Sequence, residues 1–101
     1  MKIEIYSEIS HQPIFTVFES VKKRKTNAFR AHKHPELELG FITSGAGDYI
    51  LENENYKAES GALFLVRPNE QHCVPTIYSD ELTSFNIYLS SFYLWNFASE
   101  Y

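Results

Sequence analysis

AHKHPELELGFITSGAG, residues 31–47, is the run from which the architecture follows. Leu37, Leu39 and Phe41 fall on one side of an extended chain, and Glu36, Glu38 and Ile42 fall on the other. A period of two is the mark of a strand. Pro35 has no amide to donate, so it belongs at a strand end, a bulge or an edge. Gly45-Ala46-Gly47 then reads as a turn, since glycine accepts the positive φ that tight hairpins need. His32 and His34 are two residues apart and point the same way on a strand, and Glu38 shares their parity if no bulge intervenes.

The same period runs outward in both directions. Ile3 and Ile5 alternate with Lys2 and Glu4, and Ile14 to Val21 is rich in β-branched and aromatic residues. The basic run Lys22-Lys23-Arg24-Lys25, followed by Thr26 and Asn27, reads as a solvated loop between strands. Downstream, Asp48 to Leu51, Tyr56 to Glu59, Ala62 to Val66, His72 to Ile77 and Thr83 to Leu89 read as strands. Turn signals at Glu52 to Asn55, Ser60-Gly61 and Pro68-Asn69-Glu70 separate them. Only Ser91 to Ser99 suggests a helix, with Ser90 or Ser91 as its N-cap. Short strands with turns every eight to twelve residues or so predict a β-sandwich or barrel.

Composition narrows the class. The chain has 101 residues, enough for one domain and one modest core. Aromatic residues make up 16%, which suits pleated, half-buried surfaces. The formal net charge of -4 lacks the basic surplus by which nucleic-acid binders neutralise phosphates. A single cysteine, Cys73, rules out an internal disulfide and fits a reducing cytoplasm. The N-terminus has no signal-peptide pattern. No apolar run approaches the roughly 20 residues that a helix needs to cross a bilayer, so no membrane partner is expected.

Chemistry concentrates in His32, His34, Glu38 and His72. Three imidazoles and a carboxylate suit a first-row divalent metal, and four protein ligands leave room for water or a substrate. Without a metal, the same groups would be polar contacts for an organic ligand or a hydrogen-bonded cluster of their own. Parity points Cys73 away from the lumen, as a small apolar filler. Glu36 would enter the cavity or sit at its rim. The Tyr49 hydroxyl would reach a ligand, or its ring would pack. Arg67 would hold an anionic effector at the rim, or be a solvated loop residue. Phe92, Tyr93, Trp95 and Phe97 would cover an open face of the barrel or meet a further domain.

The run from His32 resembles the first motif of the cupin family: His-x-His, three residues, Glu38, six residues, Gly45. The second motif is matched more loosely. Gly61, Pro68 and His72 are present, but the spacing differs. Asn69 or Glu70 stands where glycine is expected, Thr76 replaces the asparagine after His72, and Thr26 replaces the glycine upstream of the first motif. The phrase HKHPELELGFITSGAGDYILENENYKAESGALFLVRPNEQH is similar to the N-terminal effector-binding domain of AraC-type transcription regulators. Ser84 to Ser90 is similar to the strand that closes that domain, and the likeness covers roughly Phe29 to Ser90.

The resemblance implies an all-β double-stranded β-helix, a cupin or jelly-roll barrel, spanning 1–101 as a single domain with a short C-terminal helical segment. It implies a cytoplasmic, non-enzymatic sensor that binds a small-molecule effector in its lumen. Sugars are a common effector class in the family. His32, His34, Glu38, Tyr49 and His72 are the candidate effector-binding residues. DNA would be met only through a helix-turn-helix domain not present in this chain, and a homodimer is expected. No cofactor is required on this reading. The competing reading is a small metal-dependent cupin enzyme, an oxygenase or isomerase, with zinc, iron, manganese or nickel on His32, His34, Glu38 and His72. A stand-alone binding or storage module is the third.

Overall fold

Alternating polar and apolar residues become strands throughout the computed structural model, which describes residues 2–6, 13–24 and 31–90. The strands are β1 (Lys2–Tyr6), β2 (Pro13–Lys23), β3 (Leu37–Ser44), β4 (Ala46–Leu51), β5 (Glu54–Glu59), β6 (Leu63–Val66), β7 (His72–Ile77) and β8 (Glu81–Leu89). No helix occurs among the described residues. The expected helix over Ser91 to Ser99, with its aromatic cluster, lies outside them, as do Lys25, Thr26 and Asn27.

The strands form two antiparallel sheets. One has the order β1-β2-β8-β3-β6 and the other β5-β4-β7. Ile42, Tyr49, Ala58, Phe64, Val66, Val74, Ile77 and Leu82 form the buried core, drawn from both sheets.

Two boundaries differ from expectation. The turn after β3 is tighter than Gly45-Ala46-Gly47, because Ala46 and Gly47 already belong to β4. Gly45 carries it with φ +94°. A Cβ there would stand 2.1 Å from the Glu81 carbonyl oxygen, so only glycine fits. Strand β2 also runs past Val21 to Lys23, paired with β8 through Lys22↔Leu82 and Lys23↔Glu81. The basic run is therefore not a solvated loop throughout: its first two residues are strand.

Register gives the five-stranded sheet two contrasting faces. On the inner face, the rows read Thr16–Tyr88–Glu38–Val66, Phe18–Asn86–Gly40–Phe64 and Ser20–Ser84–Ile42, then Lys22–Leu82. On the outer face, Ile3–Val17–Ile87–Leu39–Leu65 is an apolar row across all five strands. Glu19–Phe85–Phe41–Leu63 lies beside it.

Candidate functional site

The site forms where the segment before β3 meets the start of β7. His32 and His72 make an isolated antiparallel bridge. Their amides donate to each other's carbonyls at 3.0 and 2.9 Å. The Asn69 amide donates to the His34 carbonyl at 2.7 Å, and so ties the turn before β7 to the same segment. Asn69 sits at φ 63°, a conformation that asparagine tolerates better than most residues. The three imidazoles consequently stack close together, with ring centroids 4.1 Å apart for His32 and His72 and 4.9 Å for His34 and His72.

Backbone carbonyls fix how two of these rings present themselves. His34 Nδ1 lies 3.2 Å from the Glu36 carbonyl, and His72 Nδ1 lies 2.9 Å from the Glu70 carbonyl. A carbonyl only accepts, so each Nδ1 carries a hydrogen and each Nε2 is turned to the interior. His34 Nε2 meets Glu38 Oε1 at 2.9 Å. His72 Nε2 is 3.6 Å from the same oxygen, too far for a hydrogen bond, and is buried with no hydrogen-bond partner among the described residues.

Electrostatics follow from this packing. Burial opposes the Glu38 charge, but His72 and His34 outweigh it and hold the carboxyl below its ordinary 4.5. Burial likewise opposes a charged His72, yet Glu38 and the Glu70 carbonyl prevail, and its pKa rises above 6.5. Tyr49 and Tyr88 are pushed well above the tyrosine range, first by burial and then by the Glu38 charge. Both remain hydrogen-bond donors at neutral pH.

Behind this cluster opens a cavity of about 420 Å³. His32, Glu38, Tyr49 and His72 line it, whereas His34 does not and is bonded to Glu38. Tyr49 is also a packing residue, stacked on Phe64 at 4.1 Å. Gly40 leaves the floor open, since a Cβ there would come 3.3 Å from Asn86 Oδ1.

Cys73 is among the residues that border the cavity, between the buried His72 and Val74. Glu36 and Arg67 do not line the cavity. The Arg67 guanidinium instead pairs with Glu70 at 2.8 Å, and the Arg67 amide donates to the same carboxylate at 3.1 Å, bracing the turn before His72. Among the polar lining residues, Ser20, Lys22, Ser84, Asn86 and Tyr88 went unnoticed in the sequence. The signal was there for Ser20 and Lys22, which continue the parity of Phe18.

Three donor atoms, one each from His32, His34 and His72, lie within 4.8 Å of one another. With inward-facing Nε2 atoms on His34 and His72 and the unpartnered Nε2 of His72, these residues fit a first-row divalent metal. Glu38 Oε1 stands beside this trio, bonded to His34 Nε2.

Two antiparallel sheets around a lumen, with a histidine–carboxylate cluster at one end, define a cupin domain. The solved structures that the chain resembles agree. A cupin protein from Bacteroides fragilis matches with TM-score 0.67 at 15% identity, over 77% of this chain and 67% of that one. An RmlC-like cupin with a double-stranded β-helix fold from Methanocaldococcus jannaschii matches with TM-score 0.69 at 19% identity, over 95% and 86%. The DMSP lyase DddQ from Ruegeria pomeroyi matches with TM-score 0.69 at 15% identity, over 89% of this chain and 46% of that one. At such identities the likeness shows the fold alone. No protein of curated function matches the sequence. The family is shown by the sequence itself: residues 21–101 match the AraC-like ligand-binding domain, and the chain belongs to that family.

Proposed function

We propose that this domain is the effector-sensing part of an AraC-type transcription regulator, cytoplasmic and homodimeric, whose DNA contacts are made by a separate helix-turn-helix domain. A small polar molecule of sugar size enters the lumen. Its polar groups meet His32, Glu38, Tyr49 and His72, while Phe18, Phe64 and Val74 supply apolar wall. Binding shifts the population of a conformation that the attached domain feels. The observation that carries this reading is a cavity of about 420 Å³ with a buried carboxylate at its end, in a chain of this family.

The three-histidine cluster with its unpartnered Nε2 favours one second reading, a metal-dependent cupin enzyme, an oxygenase or isomerase. When bound, zinc, iron, manganese or nickel on His32, His34, Glu38 and His72 would supply Lewis-acid or redox chemistry. In that case the chain's own residues orient the substrate and exclude water.

One experiment separates the two. The purified chain is screened against a metabolite panel by thermal shift, since a ligand of the native state raises the apparent Tm. Gly40→Leu, which projects a side chain into the lumen, serves as the blocked control. Metal content is measured in parallel on wild type and on His34→Ala. A ligand-dependent rise in Tm, lost in Gly40→Leu and insensitive to chelator, supports the sensor. Stoichiometric metal that vanishes in His34→Ala, with turnover that depends on it, replaces the sensor with the enzyme.

A further inference from the structure

Lys22 is the only lysine or arginine among the residues lining the cavity. It lies one residue before the end of β2, where a lysine ordinarily extends its ammonium into water. Here the side chain turns back along the strand and donates to Ser20 Oγ at 3.0 Å. The backbone beneath it is well anchored: Lys22 pairs with Leu82 of β8, and the Arg24 amide donates to the Asp80 carbonyl at 2.9 Å. Lys2, Arg24 and Arg67 each pair with a carboxylate, whereas no ion pair forms at Lys22 among the described residues. Burial lowers its pKa from 10.5, and the Glu38 charge only partly counters this. Glu38 itself is engaged with His34 and His72 at the other end of the lumen.

An inward cation without a counterion is costly unless something anionic completes it. Beside it stand neutral hydrogen-bonding groups: Ser20 faces Ser84 across β2 and β8, and Asn86 Nδ2 donates to Ser84 Oγ at 3.0 Å. Asn86 Oδ1 overhangs Gly40, on the path to Glu38. The lumen thus has a cationic end and an imidazole–carboxylate end, joined by a floor of hydroxyls and an amide.

We propose that the effector is a small hydroxylated carboxylate, such as a sugar acid, with its acid group on Lys22 and its hydroxyls along Ser84, Asn86 and Glu38. This rests on the reading of the lumen as the effector site. One ammonium offsets one negative charge. A phosphate dianion would bring a second, with Glu38 already in the lumen, so the carboxylate is the better match.

The test uses matched probes: glucose with glucuronate, galactose with galacturonate, and glucose 6-phosphate. Thermal shift and calorimetry are run on wild type, Lys22→Met and Gly40→Leu at up to about 10 mM probe. At least one acid is expected to bind ten-fold or more tightly than its neutral partner. Lys22→Met removes that advantage, so that each acid binds no more tightly than its neutral partner. Its ligand-free Tm, equal to or above wild type, shows that the fold survives. Neutral sugars binding as tightly as their acids, a phosphate preferred to both carboxylates, acid binding that survives Lys22→Met, or no acid-dependent shift at all each overturns the proposal. A neutral-sugar shift that Gly40→Leu abolishes would end the acid inference and keep the sensor reading. Silence from every probe counts against the acid and leaves the broader metabolite panel to judge the sensor.

Discussion

The two faces of the five-stranded sheet depart from the usual arrangement: polar groups share the inner face with core residues, and the outer face carries an exposed apolar row. The inner face carries Lys22, Ser20, Ser84, Asn86 and Glu38, while the outer face carries Leu39, Phe41, Leu63, Leu65, Phe85 and Ile87. An ordinary sheet buries its apolar side and wets its polar one. Here Glu38 and Asn86 are each 6% exposed, whereas Leu63 is 65% exposed and Leu65 52%. The inner polar groups offset their desolvation by bonding one another, as His34 does with Glu38 and Asn86 with Ser84. The same inner face also carries Ile42, Phe64, Val66 and Leu82, which join Val74 and Ile77 of the smaller sheet in the core, so one surface serves both cohesion and the lumen.

Neighbouring residues on β6 give the widest expected difference. Val66 is fully buried, so Val66→Asp places an unpaired charge in the core and should cost about 3–5 kcal/mol of unfolding free energy. Leu65→Asp, one residue away on the exposed face, should cost under about 1 kcal/mol. Urea denaturation of both variants measures the gap, and equal losses would mean that the faces are not distinct. Next in size is Glu38→Ala, which strips His34 of its bonded partner and His72 of its nearby charge. A loss of about 1–3 kcal/mol is expected by the same method.

The pH dependence of stability in chelator-treated protein should be smaller. Glu38 is depressed below 4.5 in the fold, so its contribution is present above 4.5 and fades as pH falls through its folded value. His72 is raised above 6.5, so its contribution is complete below 6.5 and fades as pH rises through its folded value. The cluster therefore stabilises most between 4.5 and 6.5, with a decline on either side. Denaturation midpoints across this range should show the maximum in wild type and lose it in Glu38→Ala.

Much of this was legible in residues. Alternation gave β1 with its bounds, Lys2 to Tyr6, and located the other strands to within a few positions. The His32–His34–Glu38 spacing, with His72, named the cluster that the fold assembles. Lys22 was hidden because four consecutive basic residues look like a solvated loop, although strand parity from Phe18 through Ser20 leads inward to it. Arg67 is the exposed turn residue of its two readings, and its pairing with Glu70 comes from a tight turn that composition does not show. Hydrophobicity and motif also disagree on β3: the pattern alone would bury Leu39 and Phe41, while the histidine cluster requires Glu38 inside, and the motif wins.

The reciprocal amide bonds between His32 and His72 act as a rivet at the mouth. His72 opens a strand of the smaller sheet, and His32 leads into the larger one. A molecule held by either imidazole would therefore bear directly on the seam where the two layers meet.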